Sequence, residues 1–209
     1  EAAGAWRGRI AEHMAAAGGP LPRIAAHWQA AGHWALAGRA YSDAAAEIRR
    51  QMRQLEEVAL LSQAVECHAA ALDADSEVEA WKDLYLAQWR RKNRAGIREA
   101  VMHLQALQST SPRARMWALA CAGQLGLDER QDDASLSLVT QAREQAQALG
   151  EAEVVVWTSS IEAHSHALRN RPLQALEGGR CCMALADGLP HSVFSLGAVF
   201  NVGSALELS

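Results

Sequence analysis

The sequence predicts an all-α fold, with antiparallel helical hairpins stacked in a right-handed superhelix. Three observations carry this expectation. Alanine supplies about a fifth of the 209 residues and leads the apolar half of the chain with leucine; these are the strongest apolar helix formers. The β-branched residues that favour strands are scarce, and no long stretch alternates with period two. Turn signals divide the chain into about eleven helical segments, a density expected of a repeat array rather than a bundle.

The first segment runs from about Ala5 to Ala17 and stops at Gly18-Gly19-Pro20. It reads as a linking helix over residues 1–19, ahead of a repeat domain over 20–209 whose last hairpin is incomplete. Pro20 and Pro22 open the second helix, which ends near Gly32. The third spans Trp34 to about Gln51, and the fourth Leu55 to Leu72. In Asp73-Ala-Asp-Ser76 the serine is the expected N-cap, with Glu79 completing a capping box. The fifth helix then runs through Trp81, Tyr85 and Trp89 to a break near Asn93 to Gly96.

Helix six holds Ala100, Leu104 and Leu107 before Ser109-Thr-Ser-Pro112 ends it. Pro112 suits the first turn of helix seven, which carries Trp117 and fades at Gly126-Leu-Asp128. Asp132 and Asp133 cap helix eight, which finishes at Leu149-Gly150. Helix nine bears Trp157, Ala163 and Leu168 and turns at Asn170-Arg-Pro172. Helix ten stops at Gly188-Leu-Pro190, and an eleventh from about Ser192 has no visible partner.

Periodicity ties these segments together. The triplets Ala37/Tyr41/Ala44, Ala100/Leu104/Leu107, Ser135/Val139/Ala142 and Ala175/Gly179/Cys182 share one internal spacing, four then three. The last three recur at about thirty-five and forty residues, near the thirty-four of a helix-turn-helix solenoid. Helix four does not align with them.

Composition excludes several functions. A net charge of −4 without a basic block gives little attraction for nucleic acid. The one basic run, Arg90, Arg91, Lys92 and Arg94, falls where a helix should end and complements its dipole. Cys67, Cys121, Cys181 and Cys182 form no Cys-x-x-Cys pair, so free thiols in a reducing cytoplasm are expected. No membrane span or signal peptide is visible, and the chain reads as a piece of a larger protein.

Leu21, Ile24, Ala25, Trp28, Gly32, Ala37, Tyr41 and Ala44 place large and small residues where the tetratricopeptide repeat family has them. The chain resembles that family over roughly 20–187, with departures at Glu162, Gly179 and helix four. A narrower resemblance rests on Arg9-Ile-Ala-Glu-His-Met14, Arg23-Ile-Ala-Ala-His-Trp28 with Ala31-Gly32, and Tyr41 with Ala44-Ala45. These runs look like the helical segment that follows the ATPase module in large bacterial STAND-type regulators, LuxR-type regulators among them. That resemblance implies a sensor arm binding an inducer or partner protein. No Gly-x-x-x-x-Gly-Lys-Ser/Thr loop and no DNA-binding helix pair is present, so those activities would lie outside this chain.

Seven Trp against two Phe and two Tyr is an unusual aromatic balance. Trp28 fits a packing position between paired helices. Extending the repeat frame puts Tyr85, Trp89, Trp117, Gln124, Trp157, Ser160 and His164 on a concave, partner-binding face. Trp and Tyr suit such a face because they combine contact area with a polar tip; the alternative is that they fill gaps between hairpins. Glu162 and His166 are four apart, but no third ligand converges with them, so no metal is expected. Glu56-Glu57 reads as a helix start or charged face. No catalytic residue and no cofactor is assigned. The expected role is a non-catalytic sensor or interaction region for a protein, peptide or small-molecule inducer. A constitutive scaffold that docks a partner helix is the alternative, and an enzyme the third reading.

Overall fold

The computed structural model describes residues 2–130, 132–187 and 189. Among them there are ten α-helices and no strand. They are α1 Ala2–Ala16, α2 Leu21–Ala30, α3 Trp34–Arg50, α4 Gln54–Ala70 and α5 Ala74–Arg90, then α6 Arg94–Leu107, α7 Pro112–Arg130, α8 Asp133–Leu149, α9 Ala152–Leu168 and α10 Pro172–Ala186. The eleventh predicted helix lies outside the described residues. The chain divides into two compact units, Glu1–Leu104 and Gln105–Ser209.

One turn design sets the spacing of the helices. Seven helix ends carry a left-handed residue: Gly18, Gly32, Met52, Leu72, Lys92, Gly150 and Asn170. At each, two amides turn back onto the helix. After α4, for example, Leu72 N–H donates to Ala69 C=O and Asp73 N–H to His68 C=O, which satisfies carbonyls the helix leaves open. The second donor also starts the next helix: His33, Arg53, Asp73, Glu151 and Arg171 all stand at N-caps. Seventeen helical residues and a three-residue link therefore begin helices at 34, 54, 74 and 94. A hairpin thus repeats every forty residues in this part of the chain, longer than the thirty-four expected from the sequence pattern.

This turn also moves the predicted cap of α5. Asp73, not Ser76, is the N-cap; its carboxylate accepts from Ser76 N–H at 3.2 Å and from Ser76 Oγ at 2.7 Å. The left-handed Leu72 delivers Asp73 to that position, so the helix starts two residues before Ser76. The expected break at Asn93 to Gly96 is only the link, and Arg94 already opens α6.

Within each unit, neighbouring helices that pack together run antiparallel. At one end of the α3–α4 pair Arg49 bonds Glu57; at the other Gly38 faces His68. A Cβ on Gly38 would lie 2.7 Å from the His68 ring, so glycine permits this approach. In unit 2, α8 packs its Ser135/Val139/Ala142 stripe on α7 across Gly123 and Gly126. Gly126 does not end α7 as its type suggested. It sits inside the helix because a Cβ there would overlap Ser135 Oγ, and α7 continues to Arg130.

The other predicted triplets also face the core, with only Leu107 partly exposed. The helix that resisted alignment hides its triplet behind a charge: Glu57, Leu61 and Ala64 on α4 are all buried at the same four-then-three spacing. Its counterpart on α6 is Ile97, Val101 and Leu104.

Candidate functional site

The seven residues predicted to face a groove fall on three helices. Tyr85 and Trp89 stand on α5 in unit 1; Trp117 and Gln124 on α7, and Trp157, Ser160 and His164 on α9, belong to unit 2. Burial separates them. Tyr85, Trp117, Trp157 and Ser160 are 1%, 2%, 8% and 0% exposed, while Trp89 is 36% exposed. Gln124 and His164 are half-buried. On α5, the buried Tyr85 ring supports the exposed Trp89, their centroids 6.0 Å apart. Ser160 Oγ donates to its own helix, at 2.6 Å from Trp157 C=O, as buried serines commonly do.

In unit 2 the predicted residues of α7 and α9 meet. Both helices run antiparallel to α8, so they lie parallel to each other, and residues forty apart come level. Trp117 and Trp157 approach at 6.0 Å between centroids, tilted by 37°, within the range for favourable aromatic pairs. Two helical turns further on, Gln124 and His164 line a cleft with Asp128 and Ser165. Gln124 Nε2 donates to Asp128 Oδ1 at 2.9 Å. Ser165 Oγ is buried and has no hydrogen-bond partner among the described residues. The cleft is about 20 Å³, room for one water molecule. This seam is therefore a closed aromatic contact that runs into a small polar notch.

Sequence reasoning missed the electrostatic centre of unit 1. Glu57 is 1% exposed; its Oε1 accepts from Arg49 Nε and from Arg90 Nη2, each at 2.6 Å. Arg49 also reaches Asp83 at 3.1 Å, linking α3, α4 and α5. Glu56 is the exposed carboxylate of that predicted pair and bonds Arg53 instead. Burial works against the Arg49 charge, but the carboxylates of Asp83 and Glu57 outweigh it and hold its pKa above the ordinary value. The only sequence signal was negative: a carboxylate at the first position of a core triplet.

Other titratable groups are tuned by packing. Burial pushes His68 below its usual pKa, against Asp73, which favours the charged ring, while Arg39 opposes it. The buried thiols of Cys67 and Cys182 rise to about 11, chiefly through desolvation. All four cysteines are free thiols. The Trp81 face, unassigned from sequence, stacks on His103 with centroids 4.0 Å apart and planes 8° from parallel.

Among the described residues no three His, Cys, Asp or Glu side chains are grouped to hold a metal ion. No helix among them is long and apolar enough to cross a membrane. No protein-family model, curated protein or solved structure matches the chain.

Proposed function

We propose that this chain is a non-catalytic helical-repeat interaction region, the sensor or partner-binding arm of a larger bacterial signal-transduction regulator. In this reading the hairpins of each unit are turns of a right-handed, tetratricopeptide-like stack. The observation that carries it is that, once in each unit, a helix touches the next but one. Arg49 of α3 pairs with Asp83 of α5, and Trp117 of α7 packs on Trp157 of α9. Such contacts belong to stacked hairpins, in which each repeat touches only its neighbours. The regulator assignment rests on the resemblance carried by Arg9 to Met14 and Arg23 to Ala45. An occupied surface would shift neighbour contacts, and a stack passes such shifts from hairpin to hairpin.

The coding sequence on either side of this chain tests the assignment. A phosphate-binding Gly-x-x-x-x-Gly-Lys-Ser/Thr loop on the N-terminal side supports it. A reading frame without any nucleotide-binding module overturns the regulator reading and leaves a constitutive scaffold.

A further inference from the structure

Unit 1 contains an apolar groove that no side chain of the unit fills. Its floor is Leu21, Ile24 and Trp28 of α2, at the i, i+3, i+7 spacing of one helix face, beside Leu36 and Ala40 of α3. The opposite wall, at the end of α1, offers only Ala15, Gly18 and Gly19. Where α7 and α9 close through two tryptophans, the end of α1 presents no large side chain toward α3. A space of about 410 Å³ remains. Leu36, 44% exposed, stands at its edge.

The rim carries charge. Asp43 and Glu47 are exposed, one turn apart on α3, and line the groove. Neither is paired with a cation among the described residues. Like charges at this spacing repel, whereas Arg49, just beyond them on the same helix, engages two carboxylates. Arg39 lies a turn before Asp43, so the acidic pair marks one end of the groove, near Leu21.

From this we infer that the α1–α3 groove docks an amphipathic helix of a partner protein. That helix inserts large apolar side chains over Leu21, Ile24 and Trp28 and sets Lys or Arg against Asp43 and Glu47. A groove between helices accepts a helix as its natural filler, with anchors at i, i+3, i+4 and i+7. From Leu21 to Trp28 the floor is about 10 Å long, enough for two turns of the guest. The inference rests on reading the chain as an interaction region and supplies its surface and partner chemistry.

Two labelled model helices of about five turns test it, one with leucine anchors flanked by lysine and the other with the same anchors flanked by glutamate. Fluorescence anisotropy should show the lysine helix binding about tenfold tighter. Charge reversal by Asp43→Lys with Glu47→Lys should invert that preference. Ala15→Trp, at an exposed position, should fill the groove and abolish binding of both helices. Leu36→Glu should weaken both, and circular dichroism should show each variant folded as the parent. Equal binding of the two helices, no binding of either, or binding indifferent to Ala15→Trp and Leu36→Glu overturns the proposal. So does sedimentation showing self-association that Ala15→Trp abolishes, since the occupant is then a second copy of this chain. If binding ignores the groove variants but is lost in Trp89→Ala, the interaction-region reading stands and the groove assignment alone falls.

Discussion

The α7–α9 seam of unit 2 and the α1–α3 groove of unit 1 are made of similar helices, yet one is shut and the other open. In the first, two tryptophans come level, and the polar notch two turns further on has room for one water. In the second, alanine and glycine face leucine and alanine, leaving about 410 Å³. The residue that each helix presents to its second neighbour decides whether a seam becomes core or surface, because only large side chains span the gap between helices one layer apart.

Removing the tryptophans should break the closed seam. Trp117→Ala with Trp157→Ala should cost at least about 5 kcal/mol, since each buried aromatic is worth about 3–5 and the two touch. Urea denaturation followed by circular dichroism would measure it. If unit 2 keeps its stability and instead loses a partner, the pair is a binding element and the contrast collapses. By comparison, the half-buried Trp28→Ala should cost about 2 kcal/mol.

The two units also differ in what holds them. Both units use close-packed glycines, Gly38 in unit 1 and Gly123 and Gly126 in unit 2, but unit 2 adds a tryptophan pair whereas unit 1 centres on the Arg49–Glu57–Arg90 network. Glu57→Ala should cost about 3–5 kcal/mol by leaving two arginines facing each other in a buried site. Adding Arg49→Met and Arg90→Met should recover most of that loss. Failure to recover it would show that the network contributes more than charge balance.

Acid should act next in size. Burial lowers the folded pKa of His68 below its unfolded value, so the fold favours the neutral ring. That contribution is full above about pH 6.5 and is lost as pH falls below it toward the folded pKa. The melting temperature should therefore drop by a few degrees between pH 7 and pH 5. His68→Asn should show a shallower slope. His166 in unit 2 shifts in the same direction and should retain its own share of the slope. An unchanged slope in His68→Asn would remove the assigned role of His68.

The smallest effect sharpens the comparison of links. Leu72 is left-handed at φ 56 and almost fully exposed, while Gly150 fills the same role in unit 2 without a Cβ. Leu72→Gly should stabilise unit 1 by about 0.5–1 kcal/mol, the conformational strain of a non-glycine residue there. A loss of stability would mean that the Leu72 side chain makes contacts worth more than that strain.

Much of the helix order was legible because it depends on local chemistry. Alanine-rich periodic stretches, Gly18, Gly32 and Gly150 at helix ends, and Asp132 before α8 all act within a few residues of themselves. The cap of α5 was misplaced because nothing near Leu72 announces a left-handed leucine, which helix-to-helix packing imposes. Gly126 was misread for a related reason: glycine as a helix end and glycine as a close contact look alike until Ser135 is brought against it. Of the candidate groove residues, the pattern found the shared faces of α7 and α9 but left groove and gap-filling open, and the burial of Trp117 and Trp157 matches the gap-filling alternative.

By itself, then, the sequence determined an all-helical chain, the order of nearly all its helices and the small-residue stripes on which they pair. Tertiary structure decided the forty-residue pitch, the burial of Glu57 between two arginines, and which seam stays open. Helix propensity and capping are settled over a turn or two of chain. Burial and charge pairing are settled by residues thirty or forty positions away, which only the packed structure brings together.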